Sequence, residues 1–311
     1  MSAFVQTIKH LFKRPRKEKD YDVESLLTKH RGLDKPLFII VFIIILVHCL
    51  TLMLPVLWMF MSSFKEGWEY FIESKFALPE VWRFNNYVKA FKVLGDPTTN
   101  TTFFGLVFNS IWYTLLATAS TLLMPAAIGY IFAKYDFPGK NILYAVIIFS
   151  LTIPIVGSTA AGLKLLFALG LYDNPLKFVV NAANGFTGTF LVYHGFFRSF
   201  SGFYAEAAEI DGAGPFKIFF RIVLPQAAPI MMTYAITTGI AQWNDYMSVI
   251  MYFPSYPTLA SGLFKFKSNL GRDNYPVYYA GLIISMIPTI LLFAAFSDKI
   301  MTSISVGGIK G

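Results

Sequence analysis

Phe203-Tyr204-Ala205-Glu206-Ala207-Ala208-Glu209-Ile210-Asp211-Gly212-Ala213-Gly214-Pro215, followed by Phe216-Lys217-Ile218-Phe219-Phe220-Arg221-Ile222-Val223-Leu224-Pro225, is unlike the rest of this chain. Ala and Glu are strong helix formers, which predicts a short helix over about 202–210. Gly212 and Gly214 supply its stop, because Gly takes the left-handed conformation cheaply. Pro215 suits the first turn of a new helix, and Pro225 and Pro229 punctuate the entry to the next apolar stretch. The segment reads as a helix-turn-helix, with Ala207 and Ala208 leaving room for a close partner.

Outward from this loop the chain is apolar. Of its 311 residues 55% are hydrophobic and 14% charged, with mean hydropathy +0.55. A soluble domain carries about 25% charged residues, so this chain lacks the polar surface of a soluble enzyme. Six apolar stretches lie near 37–61, 105–133, 142–168, 176–197, 229–252 and 278–300. Each has roughly the 20 residues that a helix needs to cross the hydrocarbon core. The fold class is therefore an all-α integral membrane protein with six transmembrane helices. The first stretch has the composition of a lipid-facing helix. Later ones carry Pro125, Pro154, Gly157, Asn181, Asn184, Gly185 and Gly188, as in a packed bundle.

Charge sets the orientation. Residues 1–36 hold nine Lys and Arg against five acids, and such basic segments stay cytoplasmic. Both termini and the 198–229 loop are then cytoplasmic. Phe4, Ile8, Leu11 and Phe12 fall at helical spacing within the tail, which suits either an amphipathic helix on anionic lipid or a flexible basic tail. The net charge of +8 is topological and implies no nucleic acid. One Cys and four scattered His offer no metal-ligand spacing, so no metal or cofactor is expected in this chain.

Two spans carry polar faces. Tyr234, Thr238, Gln242 and Asp245 recur along one face of the fifth, flanked by Thr237, Trp243 and Asn244. An ionisable residue inside a span suggests a pathway or gate. The other reading is that Asp245, near the outer end, pairs with a neighbour or water. Hydroxyl and amide partners beside Trp243 suit a sugar. Asn181 and Asn184 form a similar face in the fourth span, as pathway residues or as interhelical glue. His48, His194 and Cys49 read as packing residues.

The loop resembles that of the permease subunits of binding-protein-dependent ABC importers, which carry E-A-A, three residues, G, nine residues, then I-x-L-P. Here these are Glu206-Ala207-Ala208, Gly212, Ile222, Leu224 and Pro225, and Asp211-Gly212-Ala213 also matches. Asn109-Ser110, Phe137-Pro138-Gly139-Lys140, Gln242-Trp243-Asn244-Asp245-Tyr246 and the final Gly307-Gly308-Ile309-Lys310-Gly311 are similar to the carbohydrate-uptake branch, and to the smaller permease of the maltose system within it. Departures are Asp245-Tyr246, where the branch usually has Glu-Phe, and Ser201-Gly202, where Pro-Lys commonly opens the loop.

The resemblance implies a six-span permease domain over 37–311 in a bacterial plasma membrane. Glu206, Ala207, Ala208, Asp211, Gly212, Ile222, Leu224 and Pro225 would couple it to a cytoplasmic ATPase. Its implied partners are a second, different permease, two ATPase subunits and an extracellular sugar-binding protein. ATP and Mg would belong to the ATPase, since this chain has no Walker-type loop and no nucleophile–base pair and is not an enzyme. Alternatives are an ABC permease for a non-sugar solute and a self-contained secondary transporter. The latter would need inverted repeats or buried coupling carboxylates, and Asp245 is the only acid inside spans two to five.

Overall fold

A computed structural model describes residues 34–306 apart from 73–75, 97, 154–157, 200 and 272–273. Most of the basic tail, Pro154, Gly157 and the closing Gly307–Gly311 thus lie outside the described residues. So does the side chain of Asp298. Among the described residues the structure is helical, with one isolated bridge between Asp96 and Thr101 and no strand.

The chain divides into two compact units, Met1–Trp58 and Met59–Gly311. The first is dominated by α1 (Asp34–Ser63), apolar on every side, with Leu37 to Leu54 exposed throughout. A helix of that length and composition matches a membrane span. His48 and Cys49 are exposed on α1, contrary to the packing role expected of them. An all-round apolar helix has no packed face within its own unit.

In the second unit, α2 (Gly67–Ile72) and α3 (Asn85–Val93) precede the long α4 (Phe103–Lys134). Then come α5 (Lys140–Thr152), α6 (Ser158–Ala168), α7 (Lys177–Ala183), α8 (Gly188–Ser199) and α9 (Phe203–Ile210). After α10 (Pro215–Ile218) a π-helical turn, Phe219–Val223, leads into α11 (Leu224–Gln226). The rest is α12 (Ala228–Trp243), α13 (Met247–Tyr252), α14 (Leu259–Ser268) and α15 (Tyr275–Val306).

The expected stretches 37–61, 105–133 and 278–300 are single helices, α1, α4 and α15. The other three are not continuous: 142–168 divides into α5 and α6, 176–197 into α7 and α8, and 229–252 into α12 and α13. By length and composition Pro36–Ser63 and Phe103–Lys134 can each cross a membrane, and the bent pair Pro215–Gln226 with Ala228–Trp243 adds a third. The second and third breaks fall at Asn184-Gly185-Phe186-Thr187 and Asn244-Asp245-Tyr246. Short amide and carboxylate side chains compete for backbone partners, and Gly pays the largest entropy in a helix.

Helix α4 is the spine of this unit. Gly129 sits where α8 crosses it: a Cβ there would lie 2.9 Å from Tyr193 Cβ and 3.0 Å from the His194 amide nitrogen. Only the missing side chain permits so close an approach. At the Lys134 end of α4, Ala126 and Tyr130 join Tyr193, Phe197, Ile218, Phe219, Val223 and Ala227 in one core. At its Phe103 end, Phe103 and Leu106 join Ala90, Leu94, Leu259, Leu263, Val277 and Ala280 in another.

Candidate functional site: a helical turn and a broken helix

Helix α9 covers Phe203–Ile210, and its end is a complete Schellman motif. The Ala213 amide donates to the Ala208 carbonyl at 2.9 Å and the Gly212 amide to Glu209 at 3.0 Å. Gly212 has φ +79 and nothing within 4 Å of where a Cβ would stand. Its requirement is therefore conformational rather than steric crowding. Gly214 then caps α10 in extended backbone, with Pro215 in the first turn.

The helix shows two faces. Ala205, Ala208 and Ala213 pack against the core that holds Tyr130, Phe197 and Val223. Glu206, Ala207, Asp211 and Gly212 are exposed. Glu206 lies in the first turn of α9, where a carboxylate complements the helix dipole, and its Oε1 comes within 2.9 Å of a Cβ built on Gly202. A pocket of about 260 Å³ lies behind, between Lys134 and Tyr135 of the α4 end and Glu206 and Glu209 of α9.

The second half of the motif shapes a corner. Ile222 lies in the π-helical turn, Leu224 packs into the core and Pro225 is exposed. Between Pro215–Gln226 and Ala228–Trp243 the chain bends by 74°. A π turn together with Pro225 and Pro229 accounts for the bend, since each interrupts the regular ladder. The π turn itself has no signature in the sequence.

At the other end of α12 the helix stops at Trp243, so Asp245 is not an extension of the Tyr234, Thr238, Gln242 face. The sequence-based stripe is corrected there: Asn244, Asp245 and Tyr246 occupy the break before α13. Asp245 accepts the Tyr113 hydroxyl at 3.2 Å and the Ser248 amide at 3.0 Å. Thr237 is exposed with its hydroxyl turned onto the Thr233 carbonyl, and the Asn244 amide donates to the Ile240 carbonyl. Trp243 donates to the Ser285 carbonyl at 3.3 Å. Thr238 and Gln242 are half-buried. A pocket of about 280 Å³ brings Trp243 and Asn244 together with Tyr246, Phe264, Lys267 and Tyr278.

The Asn181–Asn184 face is likewise interrupted. Asn181 lies in α7, whereas Asn184 caps its end and is exposed. What sequence reasoning missed is Lys177 at the start of α7. It is buried, with Nζ 3.7 Å above the Tyr252 ring, in a core where Phe178, Tyr113 and Phe253 pack together. A lysine opening an apolar run beside aromatic-rich segments is the signal that would have found it.

Asn109 and Ser110 hold the segment between α13 and α14 onto α4. Asn109 donates to the Pro257 carbonyl at 2.9 Å, and the Ser110 hydroxyl accepts the Leu259 amide at 2.8 Å.

Residues 126–304 match the family described as binding-protein-dependent transport system inner membrane component. The chain is 29% identical over 268 residues to the diacetylchitobiose uptake system permease protein of Streptomyces coelicolor, covering 85% of this chain and 86% of that one. It is 30% identical over 274 residues to a probable ABC transporter permease protein of Bacillus subtilis, with 87% and 88% covered. Its fold matches a chain of a bacterial ABC transporter involved in import of the acidic polysaccharide alginate. The TM-score is 0.69 at 22% identity, over 85% of this chain and 96% of that one.

Proposed function

The chain belongs to the family of binding-protein-dependent transport system inner membrane components, and on that premise we propose that it is the permease subunit of an ATP-driven carbohydrate importer. It forms half of the translocation pathway and takes its energy from a separate ATPase subunit, which carries the ATP and Mg. One observation carries the coupling role. The Gly212 turn holds Glu206, Ala207 and Asp211 outward on a helix whose opposite face is anchored in the α4–α8 core. A lever so mounted passes a push from a docked partner to Phe197 and Tyr130 with little slack, because packed interiors are stiff.

In this reading the six spans of the 37–311 domain are assembled partly from broken helices, as irregular backbone in a membrane is tolerated where it is buried in protein or lines a cavity. Both termini and the 198–229 coupling loop are cytoplasmic. A different second permease completes the pore, two ATPase subunits dock below, and an extracellular binding protein delivers the solute to a bacterial plasma membrane. The relatives that transport sugars support a carbohydrate substrate. Thr237, Thr238, Gln242, Trp243, Asn244 and Asp245, with Asn181 and Asn184, form the pathway wall and gate. The amide and hydroxyl groups among them suit a glycan.

Co-expression with the partner subunits and uptake into vesicles tests the assignment: the expected result is ATP-dependent sugar import requiring the binding protein. Active transport by this chain alone in liposomes would refute it. A calorimetric screen of the binding protein that finds only amino acids, peptides or metal ions would refute the sugar while leaving the importer class intact.

A further inference from the structure

The pocket of about 280 Å³ at the Trp243 end of α12 is walled by the last residues of that helix and the break after it, by α14 and by α15. Its lining falls on one face of each of the latter two helices: Phe264 and Lys267 are one turn apart on α14, and Tyr278 and Ser285 two turns apart on α15. The walls are aromatic. Tyr246 and Phe264 stack with ring centroids 4.4 Å apart and planes at 16°, and Trp243 is fixed by its bond to the Ser285 carbonyl. Sugar rings present C–H faces that pack on such surfaces and hydroxyl edges that need polar partners. Two such partners are open. The Asn244 amide nitrogen is taken by the Ile240 carbonyl, which leaves its oxygen unpartnered among the described residues, as is the Tyr278 hydroxyl.

The charge of the pocket is one-sided. Lys267 lines it, is exposed, and makes no ion pair or hydrogen bond among the described residues, whereas Lys265, two residues earlier, reaches the buried Asp96. No carboxylate lines the pocket among the described residues. Asp245, although it sits between two lining residues, turns to Tyr113 and Ser248 instead. An ammonium beside a concavity free of acids gives it a positive potential, and a ligand that displaces water there strengthens the attraction for an anion. A neutral sugar would use the aromatic walls and Asn244. Only one that carries an acid would use Lys267 as well.

We propose that this pocket is a subsite for a uronate, an acidic sugar unit, with its ring against Tyr246, Phe264 and Tyr278 and its carboxylate at Lys267. The volume is just below the roughly 300–1,000 Å³ of pockets for drug-sized ligands, so it takes about one ring. Asn244 and Lys267 are exposed, so a longer chain can continue outside. The inference rests on the carbohydrate reading above and narrows it to solutes with carboxylates. In the orientation proposed there the pocket faces the extracellular side, at the far end of α12 from the coupling loop.

A saturation-transfer NMR titration of the permease–ATPase complex in nanodiscs, without the binding protein, tests it. The probes are methyl β-glucuronide and methyl β-glucoside, which differ only in a carboxylate for a hydroxymethyl group. The glucuronide should bind about threefold to fivefold more tightly, the worth of a partly solvated ion pair. Lys267→Gln should remove that preference and Lys267→Arg should keep it, while Phe264→Leu should weaken both sugars and leave their ratio unchanged. Lys267 has no bond for the glutamine to break, so the variant keeps the fold. Equal affinity of the wild-type complex for the two sugars, or a preference that survives Lys267→Gln, would overturn the acidic assignment and leave the carbohydrate reading standing. Acetate bound as tightly as the glucuronide would overturn the sugar in favour of a plain carboxylate site. Binding of neither sugar would overturn the subsite, and ATP-dependent sugar uptake by the same complex with its binding protein then decides the carbohydrate reading separately.

Discussion

The Lys265 ammonium lies 2.6 Å from a carboxylate oxygen of Asp96, an acid whose side chain is only 1% exposed. These residues stand 169 positions apart, and their contact ties the turn before α4 to α14. The other Asp96 oxygen accepts the Thr98 amide at 2.9 Å. Burial pushes the Asp96 carboxyl up, but Lys265 and Thr98 together outweigh it and hold it below the usual carboxylate range.

That direction fixes the sign of a pH effect. A carboxyl with a depressed folded-state value contributes stability above its unfolded value, about 3.9, and loses it as pH falls through the folded value. Thermal unfolding of the purified chain should therefore shift to lower temperature below about pH 4. In Asp96→Asn this acid-dependent part should be missing. At neutral pH, Asp96→Ala should cost about 1.5–3 kcal/mol. Lys265→Met should cost about 3 kcal/mol, because it leaves the buried Asp96 carboxylate without its cation.

Gly212→Val should tilt or unravel the end of α9. Its φ of +79 excludes a β-branched residue at a cost on the order of 1 kcal/mol or more. The expected result is lost uptake and lost stimulation of the ATPase, with normal amounts of protein in the membrane. Gly212→Asn, which tolerates left-handed backbone, should retain most activity. Wild-type uptake by the valine variant would count heavily against a coupling role.

Gly129→Ala should already destabilise the chain, by about 1–3 kcal/mol as for overpacking elsewhere. The added methyl meets Tyr193 Cβ at 2.9 Å and the His194 backbone at 3.0 Å, neither of which can rotate away. Fluorescence-detected thermal unfolding would register the loss. No change in midpoint would mean that α4 and α8 are less closely packed than this.

Tyr113→Phe removes the hydroxyl that donates to Asp245 and that also meets the Ser248 side chain. Hydrogen bonds between membrane helices are worth about 0.6 kcal/mol, at most about 1.7. Stability should fall by that small amount, and uptake should weaken by a few fold rather than vanish. If Asp245 were held only by its own loop, neither quantity would move.

Much of this protein can be read along the chain because its governing interactions are local. Leu37 to Met61 declares a span by sheer apolar length, with no neighbour needed. The turn at Gly212 is equally local: Ala and Glu build α9, Gly takes positive φ, and Pro215 starts the next helix. The spacing of Glu206, Gly212, Ile222, Leu224 and Pro225 points to the family for the same reason, as a pattern confined to one loop.

Where partners are distant, periodicity misleads. Tyr234, Thr238, Gln242 and Asp245 fit one helical face on paper, yet the helix ends at Trp243. Asp245 instead takes its hydrogen bonds from Tyr113, 132 residues earlier, and from Ser248 in the next helix. Lys177 has no legible role until Tyr252 comes to lie beneath it, and Asp96 none until Lys265 reaches it. A buried charge must find its partner wherever the fold brings one, since leaving it unpaired costs more than breaking a helix. Hydropathy and spacing describe what a segment can do in isolation; which of those options survives is set by the long-range pairings that burial makes compulsory.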